Sequence, residues 1–484
     1  MSGLDLLVLT VYLAGSVGLG LWMGRSQRSA ADYFLGNRNL PWTLVALSVV
    51  ATETSTLTVI SVPGLAYHGD MTFLQLAFGY VIGRIAIAFL LLPSYFKGES
   101  ETAYAFLGQR FGRAPQKTAS VLFLVTRVLA DGVRLFATAI PLALITGWSY
   151  AICILIIGAI TVLYTYVGGI RSVVWLDSVQ LLLYISGAVI ALWIVITVIG
   201  GWTGFTEALP AGKFRVIDMG LDEGWRGLFS GGYRLPAALL GGAFLSMASH
   251  GTDQLLVQRL LSTRGLRQAQ MALIASGFIV VLQFLFFLLL GAALAVFYEG
   301  AAIPTDQVFP RFIVEGLPPG LSGLLLAAIF AAAMSTLSSS LNSLASSTVF
   351  DLFRPRRDLP GGDQARDTDD LRRGRLSTLV WAGVLVGGAM LFRTTDNPVV
   401  EIGLAIASIT YGGFLGTFFL GRFTTEPGPR SAVAALLAGV VTAGALVLFT
   451  DIFWVWLVPF GCVVSFTTGW ILGHIPGFEQ IDHP

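Results

Sequence analysis

Apolar runs of about 20 residues recur along the whole chain, and each is long enough to cross a lipid bilayer as an α-helix. They lie near residues 4–24, 43–66, 73–94, 117–145, 149–168, 178–200, 236–256, 269–297, 320–350, 376–392, 399–420, 431–449 and 453–473. Only 12% of the 484 residues are charged, whereas a soluble domain carries about 25%. The sequence therefore predicts an all-α polytopic membrane protein with about 13 transmembrane helices.

The basic residues predict how the chain crosses the membrane. Most of the 29 Lys and Arg residues fall in loops that are inside if the N-terminus is outside. Cytoplasmic loops carry the excess of positive charge, so we expect a multi-pass protein of the cell (plasma) membrane with a cytoplasmic C-terminus. The loop near 201–235 is expected to form a short outside cap, and the Arg- and Asp-rich loop 351–375 to be mobile.

Several function classes find no support in the sequence. No nucleotide-binding loop and no catalytic constellation is visible, which argues against an enzyme. Cys153 and Cys462 lie within apolar runs and are expected to be packed thiols. The first run has no basic residue before it and is predicted to be a retained helix. No nucleic-acid partner and no obligatory protein partner is indicated.

Four segments place polar side chains inside spans, where they indicate function by default. These are SVVATETSTLTVISVPG at 48–64, YVGGIRSVVWLDSVQ at 166–180, FLSMASHGTDQLLVQR at 244–259 and STLSSSLNS at 335–343. Thr and Ser compete with helical hydrogen bonds, so we expect an unwound stretch in the first segment, with Pro63-Gly64 ending the helix. A break near Gly251 is expected in the third. The alternatives are a kinked packing helix with Glu53 protonated or paired, and a helix that simply ends.

The hydroxyls of the fourth segment share one side of a helix. Ser335, Ser338 and Ser339 lie on one face, with Thr336 beside them. Uncharged oxygens suit weak, reversible binding of a hard cation such as Na⁺, although small residues also favour helix packing in membranes. Asp177 is open to two interpretations, as a functional carboxylate or as a charge near a helix N-terminus.

In this order and spacing, the segments resemble the sodium:solute symporter family, which includes bacterial proline, galactose and sialic acid symporters and animal glucose, iodide and monocarboxylate transporters. The resemblance extends to DYFLGNRNLPWTLVALSVVATETS, GTDQLLVQRLLSTRGLRQAQ and LLAAIFAAAMSTLSSSLNS. It implies a LeuT-like core of two inverted five-helix repeats with two broken helices. Residues 43–200 would form repeat one and 236–421 repeat two, with 1–42 before them, the loop 201–235 between them and two further helices with a short tail in 422–484.

The resemblance also implies sodium as the coupling ion. The family's main site would use the carbonyls of Ala51, Thr54 and Ala332 and the hydroxyls of Ser335 and Thr336. Some members add a second ion, for which the matching positions are Asp177, Ser335, Ser338 and Ser339. One Na⁺ is expected, and a second is an open alternative.

The substrate is less constrained. The Asn and Lys of galactose-type members fall on Ser246 and Val280, which disfavours a hexose. Span 4 carries Arg127, Asp131 and Arg134, which can form one charge network. Sialic-acid-type members hold the carboxylate of their substrate with an arginine on this span, and Arg134 is the nearest match. The alternative is that the three charges only neutralise one another. The cavity candidates are Glu53, Ser55, Thr58, Gln75, Arg134, Ser246 and His250.

The predicted function is sodium-coupled symport of a small organic solute by alternating access. A carboxylate-bearing or zwitterionic solute is favoured, namely a monocarboxylate, an amino acid or an acidic sugar. Three alternatives stay open: a neutral sugar symporter, a proton-coupled or uncoupled transporter on the same fold with Glu53 as the proton carrier, and a transporter-like membrane sensor. No signalling domain is seen after residue 474, which argues against the sensor.

Overall fold

The computed structural model describes residues 2–24, 29–220, 224–353, 362–392 and 399–479, and the described residues are helical with no β-strand. The helices are α1 Gly3–Gly24, α2 Ala30–Leu35, α3 Trp42–Glu53, α4 Thr56–His68, α5 Leu74–Leu90, α6 Leu92–Lys97, α7 Ala105–Phe111, α8 Arg113–Thr146, α9 Tyr150–Val198, α10 Gly201–Ala208, α11 Gly224–Ser230, α12 Leu235–Gly251, α13 Gln254–Leu261, α14 Leu266–Phe297, α15 Val308–Glu315, α16 Leu321–Ser347, α17 Gly362–Ala389, α18 Val399–Phe423, α19 Pro429–Phe449 and α20 Leu457–Gly473. Each predicted span falls on one of these helices or, near 43–66, 73–94 and 236–256, on two consecutive helices.

Membrane-crossing helices account for most of the described chain. Eight helices are long and apolar enough to cross a bilayer by length and composition, and α3 with α4 forms a ninth, bent span. The spans predicted at 117–145, 236–256 and 376–392 coincide with α8, α12 and α17. Helix α16 is buried along most of its length, whereas α1 is largely exposed, so α16 lies at the centre of the bundle.

The second span is broken where its threonines and serines cluster. Helix α3 ends at Glu53, α4 begins at Thr56, and the two axes differ by 63°. Thr54 and Ser55 between them have non-helical backbone angles. This confirms the predicted unwound stretch and places it in the middle of the span.

The expected helix end at Pro63-Gly64 is wrong, because α4 continues through the proline to His68. Neighbouring backbones pack directly against this turn. A Cβ on Gly291 of α14 would lie 1.9 Å from the Pro63 carbonyl oxygen, and one on Gly64 would lie 2.1 Å from the Thr305 carbonyl oxygen. Proline is tolerated in membrane helices where neighbouring elements support the turn.

Helix α9 contains two of the predicted spans. Gly169 has φ 57° and ψ −169° in its interior, and only glycine adopts such angles without strain. Tyr164 before this point donates a hydrogen bond to the Met334 carbonyl, and Asp177 after it accepts one from Ser335. Both halves of α9 therefore reach adjacent residues of α16, so the chain bends sharply at Gly169, between the spans predicted near 149–168 and 178–200.

A second break separates α12 from α13. Helix α12 ends at Gly251, and the Asp253 side chain caps α13 by accepting a hydrogen bond from the Leu255 amide. The expected interruption near Gly251 is thus present, as a helix end followed by a new capped helix.

The two long loops differ from each other. Residues 209–220 cover the C-terminal end of α4 and the N-terminal end of α5, with the Met71 amide donating to the Arg215 carbonyl and Lys213 donating to the Tyr67 carbonyl. The prediction of a mobile loop over 351–375 is wrong in part, because α17 already begins at Gly362. Residues 354–361 of that loop lie outside the described part of the chain.

Candidate functional site

Backbone carbonyls are released at the break between α3 and α4. The Ser55 amide donates to the Glu53 carbonyl, and the Thr58 and Val59 amides both donate to the Ser55 carbonyl. In the part of the chain that the structure describes, the carbonyls of Ala51 and Thr54 therefore accept no backbone hydrogen bond. Free carbonyls at membrane depth are the usual ligands of a cation bound by a broken helix.

The hydroxyl face of α16 lies against this break. Ser335 and Thr336 are buried, and Thr336 lines a small cavity together with Ser55 and Thr56 from the start of α4. The Thr336 hydroxyl donates to the Ala332 carbonyl at 3.1 Å. The structure thus brings together the segments that carry Ala51, Thr54, Ala332, Ser335 and Thr336.

Asp177 lies at the other side of the same hydroxyl face and is fully buried. Ser335 donates to its Oδ1 at 2.6 Å, and Ser48 donates to its Oδ2 at 2.6 Å. The Arg259 guanidinium also contacts Oδ2, with Nη2 at 3.1 Å, and hydrogen-bonds to Ser339. Ser338 donates to the Ser335 carbonyl. Asp177, Ser335 and Ser339 of the predicted second site therefore meet in one hydrogen-bonded cluster, in which an arginine shares the carboxylate, whereas the Ser338 hydroxyl bonds within α16.

Glu53 pairs with a cation that sequence reasoning missed. Its carboxylate forms a salt bridge with Arg84 of α5, which is itself fully buried and donates to Ser276 at 2.6 Å. The His250 Nε2 lies 3.8 Å from the same carboxylate. Of the two alternatives considered for Glu53, the paired state is present.

A cavity of about 70 Å³ lies between the two broken spans and α8. Five of the seven cavity candidates line it, namely Glu53, Ser55, Thr58, Arg134 and His250. Aromatic side chains complete one wall, namely Phe73, Tyr80, Phe284 and Tyr411.

Gln75 and Ser246 lie outside that lining. The Gln75 side chain holds the loop between α10 and α12, donating to the Tyr233 carbonyl and accepting from the Asp218 amide. Ser246 packs against α5, where a Cβ on Gly83 would lie 2.9 Å from the serine Cβ.

The charge cluster on α8 also borders the cavity. Arg134 Nη1 donates to Asp131 Oδ1 at 2.9 Å. Arg127 lies 3.6 Å from Asp131 and 3.7 Å from Asp253, but its buried nitrogens form no hydrogen bond. Tyr411 donates to Asp253 at 2.6 Å. The predicted Arg–Asp–Arg network exists, and Asp253 from the second break extends it.

Three contributors were missed by sequence reasoning. Arg84, Arg259 and Ser48 each contact a predicted site residue. An available signal was the presence of Arg84 inside an apolar span, because charges at membrane depth are costly unless paired. Arg259 lies beyond the span predicted near 236–256, among the basic residues of the loops. Ser48 carried no signal beyond its place in the polar segment.

Comparison with known proteins gives consistent results over nearly the whole chain. A model of the sodium:solute symporter family matches residues 33–439. The sodium/sialic acid symporter SiaT of Proteus mirabilis (strain HI4320) is 30% identical over 452 residues, which cover 90% of this chain and 87% of the relative. The sodium/iodide cotransporter of Homo sapiens is 29% identical over 447 residues, covering 90% of this chain and 68% of the relative.

A solved structure matches the fold closely. The substrate-bound outward-open state of a Na⁺-coupled sialic acid symporter superimposes with a TM-score of 0.87 at 27% identity, and the match covers 98% of each chain. The broken helices and the central hydroxyl-lined helix therefore belong to an architecture that also occurs in that symporter.

Proposed function

The chain belongs to the sodium:solute symporter family, and from this membership we propose how its own residues carry out sodium-coupled symport of a small organic solute by alternating access. It is a membrane transporter and not an enzyme. Sodium and the solute are its two ligands. The observation that carries the residue-level proposal is the pair of carbonyls without backbone hydrogen bonds at the α3–α4 break, beside the small cavity that Thr336 of α16 lines.

The first sodium ion is proposed to bind between these two elements. Its ligands are the carbonyls of Ala51, Thr54 and Ala332 and the hydroxyls of Ser335 and Thr336. All five are oxygens, which a hard cation requires, and none adds a net charge, which favours release. An ion held by both elements ties α16 to the broken span and so stabilises the cavity beside it.

A second sodium ion is the open alternative, and it would bind at Asp177 with Ser335, Ser338 and Ser339. Because the Arg259 guanidinium contacts both Asp177 and Ser339, a second ion can bind only when this guanidinium moves aside. A sodium Hill coefficient near two would support that displacement. A coefficient near one would mean that Arg259 keeps the carboxylate.

The solute is proposed to bear a carboxylate and to bind in the main cavity with Arg134 as its anion-binding residue. A planar guanidinium matches a carboxylate in geometry and charge. Glu53, Ser55, Thr58 and His250 line the same cavity and would contact the rest of the molecule. A monocarboxylate, an amino acid and an acidic sugar all satisfy this arrangement.

The deciding experiment is a thermal-shift screen of organic acids, amino acids and sugars in sodium and in choline. A substrate should stabilise the protein more in sodium, because binding to the folded state raises its stability by mass action. Ser335→Ala with Thr336→Ala should remove the sodium effect and sodium-driven uptake into proteoliposomes. Uptake at wild-type levels in that double variant would refute the first site.

Proton coupling through Glu53 is the competing mechanism. Glu53 is tied to Arg84, so proton transfer to it would leave a buried guanidinium without its counter-ion, at a considerable cost. Uptake that follows pH and is unchanged without sodium would support the competing mechanism. The Glu53→Gln variant should then lose uptake.

We further propose a plasma-membrane location, an outside N-terminus and a cytoplasmic C-terminus, supported by the distribution of Lys and Arg. Residues 43–200 and 236–421 are proposed to form the two inverted repeats. In support, each of these ranges begins with a broken helix, α3–α4 and α12–α13. Reporter fusions at the C-terminus that read cytoplasmic or external exposure would test the orientation.

A further inference from the structure

We propose that Asp131 couples sodium binding to solute binding: its carboxylate leaves Arg134 and turns to the sodium ion, which frees Arg134 to hold the carboxylate of the solute. This inference rests on the proposed first sodium site and deepens it. It assigns to Asp131 a role in the sodium site, as the negatively charged group that faces the ion.

The position of Asp131 between the two ligands is the first support. A small cavity separate from the main one is lined by Ser55, Thr56, Thr138, Thr336 and Asp131, with Arg134 and three apolar residues. Thr336 is a proposed sodium ligand, and Arg134 lines the main cavity as well. Asp131 and Arg134 therefore stand between the sodium site and the solute site.

The hydrogen bonds of Asp131 are the second support. Its Oδ1 accepts from Arg134 Nη1 at 2.9 Å. Its Oδ2 is buried and has no hydrogen-bond partner among the residues that the structure describes, and the side chain is only 1% exposed. A buried carboxylate oxygen without a partner is costly, and Asp131 is the one carboxylate among the residues that line the small cavity. A sodium ion beside Thr336 would supply the missing partner.

The charges at the sodium site are the third support. The five proposed ligands are neutral oxygens, and the other nearby carboxylate, Asp177, is already paired with Arg259. A cation in a low-dielectric site gains from a negative charge close by, and of these two carboxylates only Asp131 keeps an oxygen without a hydrogen bond among the described residues. Asp131 is shared between two arginines, Arg127 and Arg134, so drawing it toward sodium leaves positive charge facing the main cavity.

This exchange of partners by Asp131 explains why sodium and the solute would each favour binding of the other. Without sodium, Asp131 neutralises Arg134, and the solute carboxylate competes with it for the guanidinium. With sodium bound, Arg134 is available. Coupling of this kind is reciprocal, so the solute should raise sodium affinity by the same factor by which sodium raises solute affinity.

Sodium binding to the purified full-length protein tests the proposal without knowledge of the solute. Titrations of Na⁺ against choline at constant ionic strength, read by calorimetry, would compare wild type with Asp131→Asn, Arg134→Gln and the double variant. We expect Asp131→Asn to weaken sodium binding about tenfold or more, and Arg134→Gln to tighten it, because it removes the competing partner. The double variant should lose the tighter sodium binding that we expect for Arg134→Gln.

The proposed role changes sodium affinity in opposite directions in the two single variants. Structural damage would instead weaken sodium binding in both. Unchanged affinity in Asp131→Asn, or weaker binding in Arg134→Gln, would overturn the proposal, and Arg134→Gln decides the matter alone if Asp131→Asn does not fold. The variant with both Ser335→Ala and Thr336→Ala distinguishes failure of the proposed sodium site from failure of the role of Asp131. If it still binds sodium, the proposed sodium site fails; if it does not while Asp131→Asn binds normally, only the role of Asp131 fails.

Discussion

At the scale of single residues, the buried cations of the membrane-spanning region are each matched to carboxylates. Arg84 pairs with Glu53, Arg259 with Asp177, and Arg127 lies between Asp131 and Asp253. A charge taken out of water is tolerated only when it is paired and hydrogen-bonded. Each pair must therefore be treated as a unit, and a substitution at one member acts on the other.

Asp177→Asn tests this at the most enclosed pair. The substitution leaves the Arg259 guanidinium buried without a counter-ion, and we expect the free energy of unfolding to fall by about 3–5 kcal/mol. Adding Arg259→Met should restore much of the loss. Asp351→Asn is the matched control, because this buried carboxylate is held by Thr102, Gln116 and Ser347 and, within the described ranges, by no arginine. An equal loss in the control would contradict the argument.

At the scale of elements, backbone geometry at helix breaks positions the site. The bend at Gly169 brings Asp177 to α16, and the break at Thr54 turns carbonyls away from their helical partners. Both devices depend on local residue chemistry, glycine in one case and hydroxyl side chains in the other.

Gly169→Ala should disrupt the bend in α9. A side chain at φ 57° is strained by about 1–2 kcal/mol, and its Cβ would lie 2.6 Å from the Tyr33 carbonyl oxygen. We expect a lower melting temperature and weaker sodium binding. Gly383→Ala is the control, because a Cβ there meets nothing within 4 Å and alanine favours the helix. A Gly169→Ala protein as stable as the control would contradict this prediction.

The N-terminus of α19 should show an acid-sensitive anchor. Partial burial alone would raise the pKa of Glu479, but hydrogen bonds donated by Ser431, Gly428 and Arg430 outweigh it and hold the pKa below its usual value. Because this pKa is lower in the folded than in the unfolded protein, the carboxylate stabilises the fold at pH values above the unfolded pKa near 4.5. That stabilisation is lost as the pH falls through the pKa of the folded protein.

Glu479→Ala should therefore cost about 1 kcal/mol at neutral pH, the usual size of a helix cap. The difference in melting temperature from wild type should shrink as the pH is lowered below 4.5. The exposed neighbour Glu426, which bonds to Thr425, provides the control substitution. A difference that persists in strong acid would count against the anchor.

At the scale of the whole molecule, the charge carried per cycle follows from the pairing of Asp177 with Arg259. If Arg259 holds that carboxylate throughout, one Na⁺ moves with each solute. A monocarboxylate then travels with no net charge. A membrane potential acts only on net charge, at about 2.3 kcal/mol per elementary charge per 100 mV.

Uptake of a monocarboxylate substrate into proteoliposomes should thus be insensitive to an imposed inside-negative potential. A potassium gradient with an ionophore sets the potential, and the initial rate of uptake is the measurement. Stimulation by the potential would show that a second cation moves with the solute, and Asp177→Asn should then abolish the stimulation.

Much of the fold was predictable, because its causes are local. Apolar runs, the hydroxyl cluster on one face of α16 and the Thr–Ser break in the second span are visible in short windows of sequence. The order of these features along the chain resembles that of the sodium:solute symporter family, and this extends the prediction to the whole architecture. The helix through Pro63 was not predictable, since it depends on the close approach of α14 at Gly291.

The sequence by itself determined that the chain spans a membrane, where its helices break and which oxygens face inward, because bilayer burial and backbone chemistry act residue by residue. Only the tertiary structure decided which charges meet. Arg259 and Asp177 lie 82 residues apart, and Arg84 and Glu53 lie 31 apart. Helix packing alone brings such pairs together, and in a medium without water each buried charge must find the partner that the packing provides.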